Sequence, residues 1–404
     1  MKIALLSFEY PPETGFGGIG TYTWYQARAL VKLGHVVHVL AGAGGSSERR
    51  LRTVEHDGVI VHRIKSDGLV SRAAGLLGAA GLRWTRSRIE NGWSMYRGLR
   101  ELLERHAYDV IEMPECGGEG WIVNQLIRGA RTVVRFHSPA QLIMDSYPVS
   151  RPDVAGCSRL ERLAMTGAGA LTSCSRFLAD EVTTRIGLAR PIEVIPNGID
   201  LALFDAAEPM DVRRRFNLPA ERPIILFTGR IETRKGIELC PEIVRTVLER
   251  HDVAFVFAGR DTFGYMEKTL LPSVRSRTLR GSIHYLGDLD FVTVRACLRN
   301  AAIFLLPSLW ENCPYSCVEA MAAGTAIVAA DQGGMPELIT HGTSGLLARC
   351  GDPASFVEQL ERLIGDEALR GRLAAAARRA VETRLTDVHI AGQSVAFYRR
   401  AFDL

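Results

Sequence analysis

Short apolar runs recur along the whole chain without the every-other-residue alternation of a half-exposed strand. Runs of that kind suit strands covered on both faces, the setting of a parallel sheet. A first series comprises Ile3–Ser7, Val36–Leu40, Val59–Arg63, Val110–Glu112, Thr132–Phe136 and Glu193–Ile195. A second comprises Ile224–Phe227, Ala254–Phe257, Ile283–Tyr285, Ile303–Leu306, Ala326–Ala329 and Gly345–Leu347. Longer amphipathic stretches lie between the runs, so the pattern predicts α/β architecture with two parallel sheets. Between residues 200 and 222 the pattern is interrupted by Pro209, Arg213, Arg214, Arg215 and Pro219, with Pro223 just before the second series begins. The expected units are residues 1–205 and 206–384, leaving a cleft between them. Ligands of such sheets lie beyond the carboxyl ends of the strands, so reactive groups are sought just after each run.

Composition narrows the function. A chain of 404 residues with 47% hydrophobic and 23% charged residues is long enough for two cores. A net charge of +4 is far from that of a dedicated nucleic-acid binder but suits an anionic ligand. None of the 8 cysteines forms a CxxC pair, and Cys313 and Cys317 lack histidines at metal-ligand spacing. No metal site is expected, and the cysteines read as thiols of a reducing cytoplasm. The opening MKIALLSFEY is not a signal peptide, because its apolar run stops at Leu6 and Glu9, Pro11 and Pro12 follow. No apolar stretch of about 18 residues is present to span a membrane. Residues 69–105 carry Arg83, Trp84, Arg86, Arg88, Trp93 and Arg97. They read either as a solvated helical insertion with buried aromatics or as a basic face for an acceptor or the surface of an anionic membrane.

Two segments hold the strongest chemistry. In Phe227-Thr228-Gly229-Arg230-Ile231-Glu232-Thr233-Arg234-Lys235-Gly236, a buried strand ends at Thr228 and two cations, Arg230 and Lys235, follow it. Such a pair neutralises a diphosphate, with arginine able to bind in bidentate fashion; a surface loop also carries such residues. In Pro307–Met321, strand Ile303–Leu306 runs into a loop bearing Glu311, and a helix begins near Ser316. Free N–H groups at that helix start favour phosphate, and carboxylates accept hydrogen bonds from sugar hydroxyls. Glu311 also reads as a solvated loop carboxylate, and Ser316-Cys317-Val318-Glu319 also reads as a capping box.

Together these segments resemble the retaining glycosyltransferases of glycosyltransferase family 4, which have the GT-B fold of two Rossmann-like domains. The Glu311–Glu319 spacing is similar to the family's E-x7-E pattern, and Arg230 and Lys235 match its basic pair. Gly333-Gly334-Met335-Pro336-Glu337, with Gly342 and Gly345-Leu346-Leu347, matches a later signature, and Val194–Asp200 matches the domain junction. The resemblance implies that Arg230 and Lys235 hold the diphosphate and stabilise the leaving group. It implies that Glu311 contacts the donor sugar and Glu319 the ribose, with Asn312 and the backbone of Tyr315, Ser316 and Cys317 assisting. Gly17 and Gly18 match a glycine pair that lets the backbone approach the donor, and His137 matches a histidine near the donor sugar.

Gly15-Phe16-Gly17-Gly18-Ile19-Gly20 is also a literal GxGxxG. Against a dinucleotide fingerprint, the glycines follow the strand late, behind Pro11 and Pro12, and no acid closes the next strand at Leu40-Ala41-Gly42. Gly259-Arg260-Asp261 and Leu286-Gly287 are where the base would sit. Glu115 and Glu119 are acceptor-side candidates, and Ser173 and Ser175 end a strand. The resemblance further implies that a last helix, 385–404, crosses back to the first domain.

The implied activity is metal-independent sugar transfer to a hydroxyl-bearing acceptor with retained configuration and no further cofactor. The donor is a nucleotide-diphosphate sugar, a UDP-sugar by preference, with a GDP-sugar left open. A saccharide, a lipid-linked acceptor and a natural product all fit the acceptor. A GT-B epimerase or phosphorylase, and a non-catalytic nucleotide-sugar binder, stay as alternatives. No nucleic-acid partner is expected, the location reads as cytoplasmic with peripheral membrane contact left open, and the oligomeric state is open.

Overall fold

The computed structural model describes residues 1–15, 17–44, 51–65, 68–206, 210–274 and 276–404; Phe16 and Pro209 lie outside them. The chain divides into two compact units, one of Met1–Gly198 with Asp387–Leu404 and one of Ile199–Thr386.

Among the described residues the first unit holds a sheet in the order β3-β4-β2-β1-β5-β6-β7-β8. Its strands are β1 (Lys2–Leu6), β2 (Val36–Gly42), β3 (Arg52–His56), β4 (Val59–Ile64), β5 (Val110–Pro114), β6 (Thr132–Phe136), β7 (Ala170–Ser173) and β8 (Glu193–Val194). The second sheet runs β11-β10-β9-β12-β13-β14. It comprises β9 (Ile224–Thr228), β10 (Ala254–Ala258), β11 (Ile283–Tyr285), β12 (Ile303–Leu306), β13 (Ala326–Ala330) and β14 (Leu346–Ala348). Every residue of β9, β10, β12 and β13 is buried, as expected of strands with both faces covered. Phe227, Phe255, Phe257 and Phe304 sit in this second core at 0–1% exposure, each worth roughly 2–3 kcal/mol of burial.

Two strands are absent from the sequence-derived series. Ala170–Ser173 forms β7, parallel to β6. Arg52–His56 forms β3, which pairs antiparallel with β4 and so departs from the expected all-parallel sheet. Asp57 and Gly58 join β3 to β4 with φ of 53° and 75°, the left-handed pair that closes a two-residue hairpin. Four of the five β3 residues are exposed, so the strand has no apolar run to reveal it.

In each sheet the connections reverse direction around the first strand. β1 lies between β2 and β5, and β9 lies between β10 and β12. Loops leaving the carboxyl ends of β1 and β5, and of β9 and β12, therefore part to opposite faces. Such switch points are where open α/β sheets hold ligands. Helix α1 (Gly18–Lys32) follows β1, and α2 (Gly68–Ala79) and α3 (Arg83–Leu103) connect β4 to β5. Helix α4 (Tyr315–Ala323) follows β12. The last helix, α5 (Asp387–Phe402), belongs to the first unit and packs on α1. No described helix is long and apolar enough to cross a membrane.

Candidate functional site

At the switch point of the second unit the loops after β9 and β12 are joined residue by residue. Leu309 N–H donates to Arg234 C=O at 2.9 Å, and the Arg234 guanidinium donates to Trp310 C=O at 3.1 Å. Lys235 Nζ donates to Glu311 Oε1, and Arg234 lies 3.6 Å from the other carboxylate oxygen. Ser308 Oγ adds a hydrogen bond to Glu311 Oε1 at 3.1 Å. Close backbone approach makes this possible. Gly236 has φ of +71°, and a Cβ there would stand 1.8 Å from Pro307 O. Gly333 has φ of +67°, and its Cβ would stand 2.0 Å from Glu311 O, while Gly334 N–H donates to that same carbonyl at 2.9 Å.

The cluster is buried and electrically lopsided. Burial works to raise the Glu311 carboxyl, but Lys235 and Arg234 outweigh it and hold the group below the usual range. Burial lowers Lys235, and Arg234 and Arg230 reinforce that against the pull of Glu311. Arg234 also pairs with Glu232 at 3.2 Å, as Arg230 does at 3.3 Å, so three cations meet two carboxylates and one positive charge is left for an arriving anion. Arg230 is different: its side chain is 59% exposed, and its ion pair is with Glu232 at 3.3 Å.

Glu319 lies on α4, buried, with Arg295 the charged group that acts on it. Burial raises its carboxyl to about 7, with Arg295 pulling the other way. The cap of α4 is Pro314, no side chain caps the helix, and its first turn holds no acid. Cys317 N–H already bonds Pro314 C=O at 3.1 Å and its side chain is fully buried, whereas Ser316 is partly exposed. Asn312 and Tyr315 are buried beside them. After β10, Gly259 brings its loop against Gly229: its φ is +138° and a Cβ would meet Gly229 O at 1.9 Å. The Arg260 side chain is 71% exposed and pairs with Asp288 at 2.9 Å. Leu286 is partly exposed, its N–H bonded to Phe257 C=O at 2.9 Å.

The first unit repeats the arrangement around β1, β5 and β6. Gly17 caps α1 in extended conformation, with no side-chain cap and no acid in the first turn. A Cβ on Gly17 would stand 2.3 Å from Glu9 Oε2, but one on Gly18 would meet nothing within 4 Å. Gly18 therefore keeps open space at the start of a 15-residue helix, where N–H groups favour an anion. The β1 loop is held by Arg63, which donates to Tyr10 C=O at 2.8 Å and Pro11 C=O at 2.9 Å. It is held again by Glu119, whose Oε2 accepts Phe8 N–H at 2.9 Å. Glu115 accepts His137 N–H on both oxygens at 2.9 Å and Ser138 N–H at 2.6 Å, fixing the loop after β6. His137 is buried, its basicity lowered by burial and by Arg135.

Residues 16–203 match the family model described as Glycosyltransferase Family 4, and residues 210–380 match Glycosyl transferases group 1. This chain is a family 4 glycosyltransferase. It is 24% identical over 424 residues to an uncharacterised glycosyltransferase of Methanocaldococcus jannaschii, covering 100% of this chain and 99% of that protein. Its fold is similar to that of sucrose-phosphate synthase from Thermosynechococcus elongatus, with TM-score 0.79, 21% identity, and 100% and 99% of the two chains covered. It is similar also to the Anabaena protein HepE in complex with UDP-glucose, with TM-score 0.72, 18% identity, and 99% and 100% covered. The fold is GT-B, two Rossmann-like domains, and the activity is nucleotide-sugar-dependent glycosyl transfer of the EC 2.4 type, which in this family is retaining and metal-independent.

Against the sequence reading, the glycosyltransferase brings Lys235 and Glu311 together and leaves Arg230 on the surface beside Glu232. Arg234 was missed, although it adjoins Lys235; a string of residues does not say that both neighbouring cations turn inward while Arg230 turns out. Glu319 does not close a capping box, since α4 starts one residue earlier, at Tyr315, and places Ser316 inside the helix. Cys317 presents neither its N–H nor its thiol. Glu115 and Glu119 are not open to an acceptor: both are spent on backbone N–H groups, and burial raises both carboxyls to about 8. Ser175 caps a short helix through Leu178 N–H at 3.2 Å, and Ser173 Oγ donates to Ser175 C=O at 2.9 Å.

Proposed function

We propose that the second unit of this glycosyltransferase holds a UDP-sugar and that the first presents the acceptor hydroxyl. The observation that carries this reading is the Lys235–Glu311 pair with Arg234 at the switch point after β9 and β12. Lys235 and the exposed Arg230 neutralise the diphosphate, while Glu311 fixes Lys235 and accepts a sugar hydroxyl. The Ser316 N–H at the start of α4 meets a phosphate oxygen, and Glu319 accepts from the ribose. Arg260 and Leu286 flank the base. In the first unit the open backbone at Gly18 and the imidazole of His137 serve the donor sugar.

Retention follows from a front-face displacement. The acceptor oxygen bonds to the anomeric carbon on the face from which the diphosphate departs. The C–O bond electrons leave with the diphosphate, and the acceptor proton passes to its departing oxygen. Lys235 and Arg230 stabilise the charge that develops there.

A thermal-shift screen against UDP, GDP and ADP and their glucose or mannose conjugates tests the donor reading, because a ligand bound to the native state raises Tm. UDP and a UDP-sugar are expected to raise it most. A shift with none of them contradicts the reading. Incubating the responding donor without acceptor separates transfer from epimerisation, since an epimerase converts donor alone.

A lipid-linked acceptor is favoured by one feature. Leu76 near the end of α2 is 78% exposed, and Trp84 at the start of α3 is 50% exposed beside exposed Arg83. Co-sedimentation with phosphatidylglycerol vesicles, abolished in a Leu76→Ser/Trp84→Ser variant, checks it; equal sedimentation of the variant contradicts it.

A further inference from the structure

A buried carboxylate that the proposed chemistry does not use lies one contact from His137. Glu112, in β5, is 3% exposed. Its Oε1 accepts the Tyr22 hydroxyl of α1 at 2.6 Å, and its Oε2 accepts the Tyr398 hydroxyl of α5 at 2.6 Å. Both bonds are at the short end of the range for O–H···O contacts. The three residues are 90 and 286 positions apart in sequence, so the strap draws three elements to one point.

Tyr22 faces His137 with its other end. The two rings meet edge to face, centroids 5.1 Å apart and planes at 60°. On the same tyrosine ring sits the Arg135 guanidinium, 4.1 Å from the centroid. Arg135 is itself fixed by Ile195 C=O at 2.7 Å, Pro196 C=O at 3.1 Å and Asn197 Oδ1 at 3.1 Å. A cavity of about 10 Å³ lies among Leu5, Tyr22, Glu112, Arg135 and His137, close to the room one water needs. The hydroxyl bond to Glu112 and the guanidinium on its face hold the Tyr22 ring where it meets His137. Burial raises Tyr22 and Tyr398 far above the usual phenol range, so both stay hydrogen-bond donors.

We infer that Tyr22 and Tyr398 are positioning residues for His137: through Glu112 the last helix and α1 set the orientation of the imidazole. The inference rests on the reading of His137 as a group that serves the donor sugar. It gives α5 a part in the reaction without any contact to substrate, and it makes Tyr398 a residue whose loss is felt at His137.

The test uses the full-length protein labelled at histidine, with the ring resonances followed by NMR, and UDP-glucose hydrolysis as the activity. Tyr398→Phe and Tyr22→Phe each keep the ring and remove one hydroxyl. Both are expected to move the His137 resonances, with those of His251 and His389 unmoved, and to lower kcat about fivefold while the KM for UDP-glucose stays within about twofold. Should one variant fail to fold, the other and a Glu112→Gln variant give the same readout. An unmoved His137 resonance in the folded variants overturns the strap. A His137→Ala variant with wild-type kcat overturns the catalytic reading of His137 on which the inference rests, and that result is distinct from the resonance result.

Discussion

Lys235 and Glu311 form a buried ion pair across the switch point of the second sheet, one from the loop after β9 and the other from the loop after β12. Arg234 sits 3.6 Å from the same carboxylate and 3.2 Å from Glu232, and with Arg230 on Glu232 the cluster holds three cations to two carboxylates. A neutral substitution at either member exposes what each supplies.

Lys235→Met leaves Glu311 buried with only Arg234 and Ser308 for company. Breaking a buried pair from one side costs about 3 kcal/mol at the low end of the usual range. Urea unfolding should show that loss, and Glu311→Gln introduced into Lys235→Met should recover part of it. Strictly additive losses in the double variant contradict the coupling.

Arg230→Ala separates binding from stability. Its side chain is 59% exposed with one ion pair, so unfolding free energy should move by less than about 0.5 kcal/mol. Donor turnover should still fall by roughly a hundredfold, the scale of losing one charge-stabilising donor. Wild-type turnover removes Arg230 from the diphosphate site.

Glu319→Gln addresses a carboxyl raised to about 7 by burial. A folded pKa above the unfolded one means that the native state binds the extra proton. The stability this group contributes is therefore full at low pH and is lost as pH rises from about 4.5 to 7. At pH 8 the Gln variant should be more stable by on the order of 1–3 kcal/mol, yet show a higher KM for the donor. A Tm at pH 8 equal to or below wild type contradicts the first half, and an unchanged KM the second.

On the acid side the buried pair His38 and His62 acts in the opposite sense. His38 Nδ1 and His62 Nε2 share a hydrogen bond of 2.9 Å, and burial lowers both rings to about 4. Their stability contribution is full above the ordinary histidine value of 6.5 and fades as pH falls toward 4. His62→Gln should flatten Tm between pH 6.5 and 4.5, and an unaltered slope contradicts the assignment.

Gly333→Ala tests the backbone. With φ of +67° and Glu311 O only 2.0 Å from the new Cβ, the variant must displace the loop bearing Glu311. A loss of at least about 2 kcal/mol and of most turnover is expected. Gly18→Ala, whose Cβ meets nothing within 4 Å, should keep stability and lose donor affinity instead. Equal behaviour of the two variants contradicts the distinction.

The strands were legible where burial goes with an unbroken apolar run, as in Ile224–Phe227 and Ala254–Ala258, but not in Ala170–Ser173, which is largely buried yet ends in Thr172 and Ser173. The hairpin strand Arg52–His56 was not, although Asp57-Gly58 is a hairpin signal, because a polar edge strand carries no apolar run. At the site, residue types were legible but side-chain direction was not. Arg230, Arg234 and Lys235 look alike in sequence, and the turn Thr233–Lys235 decides which two face Glu311. Glu112, Tyr22 and Tyr398 carry no motif, since their meeting depends on contacts 90 and 286 residues long.

The most direct measurement is calorimetric titration of UDP-glucose into the wild type and Lys235→Met, each first shown to be folded. The account predicts saturable binding by the wild type and at least a tenfold weaker Kd, about 1.4 kcal/mol, in the variant. Equal affinity in the two proteins would contradict a donor site built on Lys235 and Glu311.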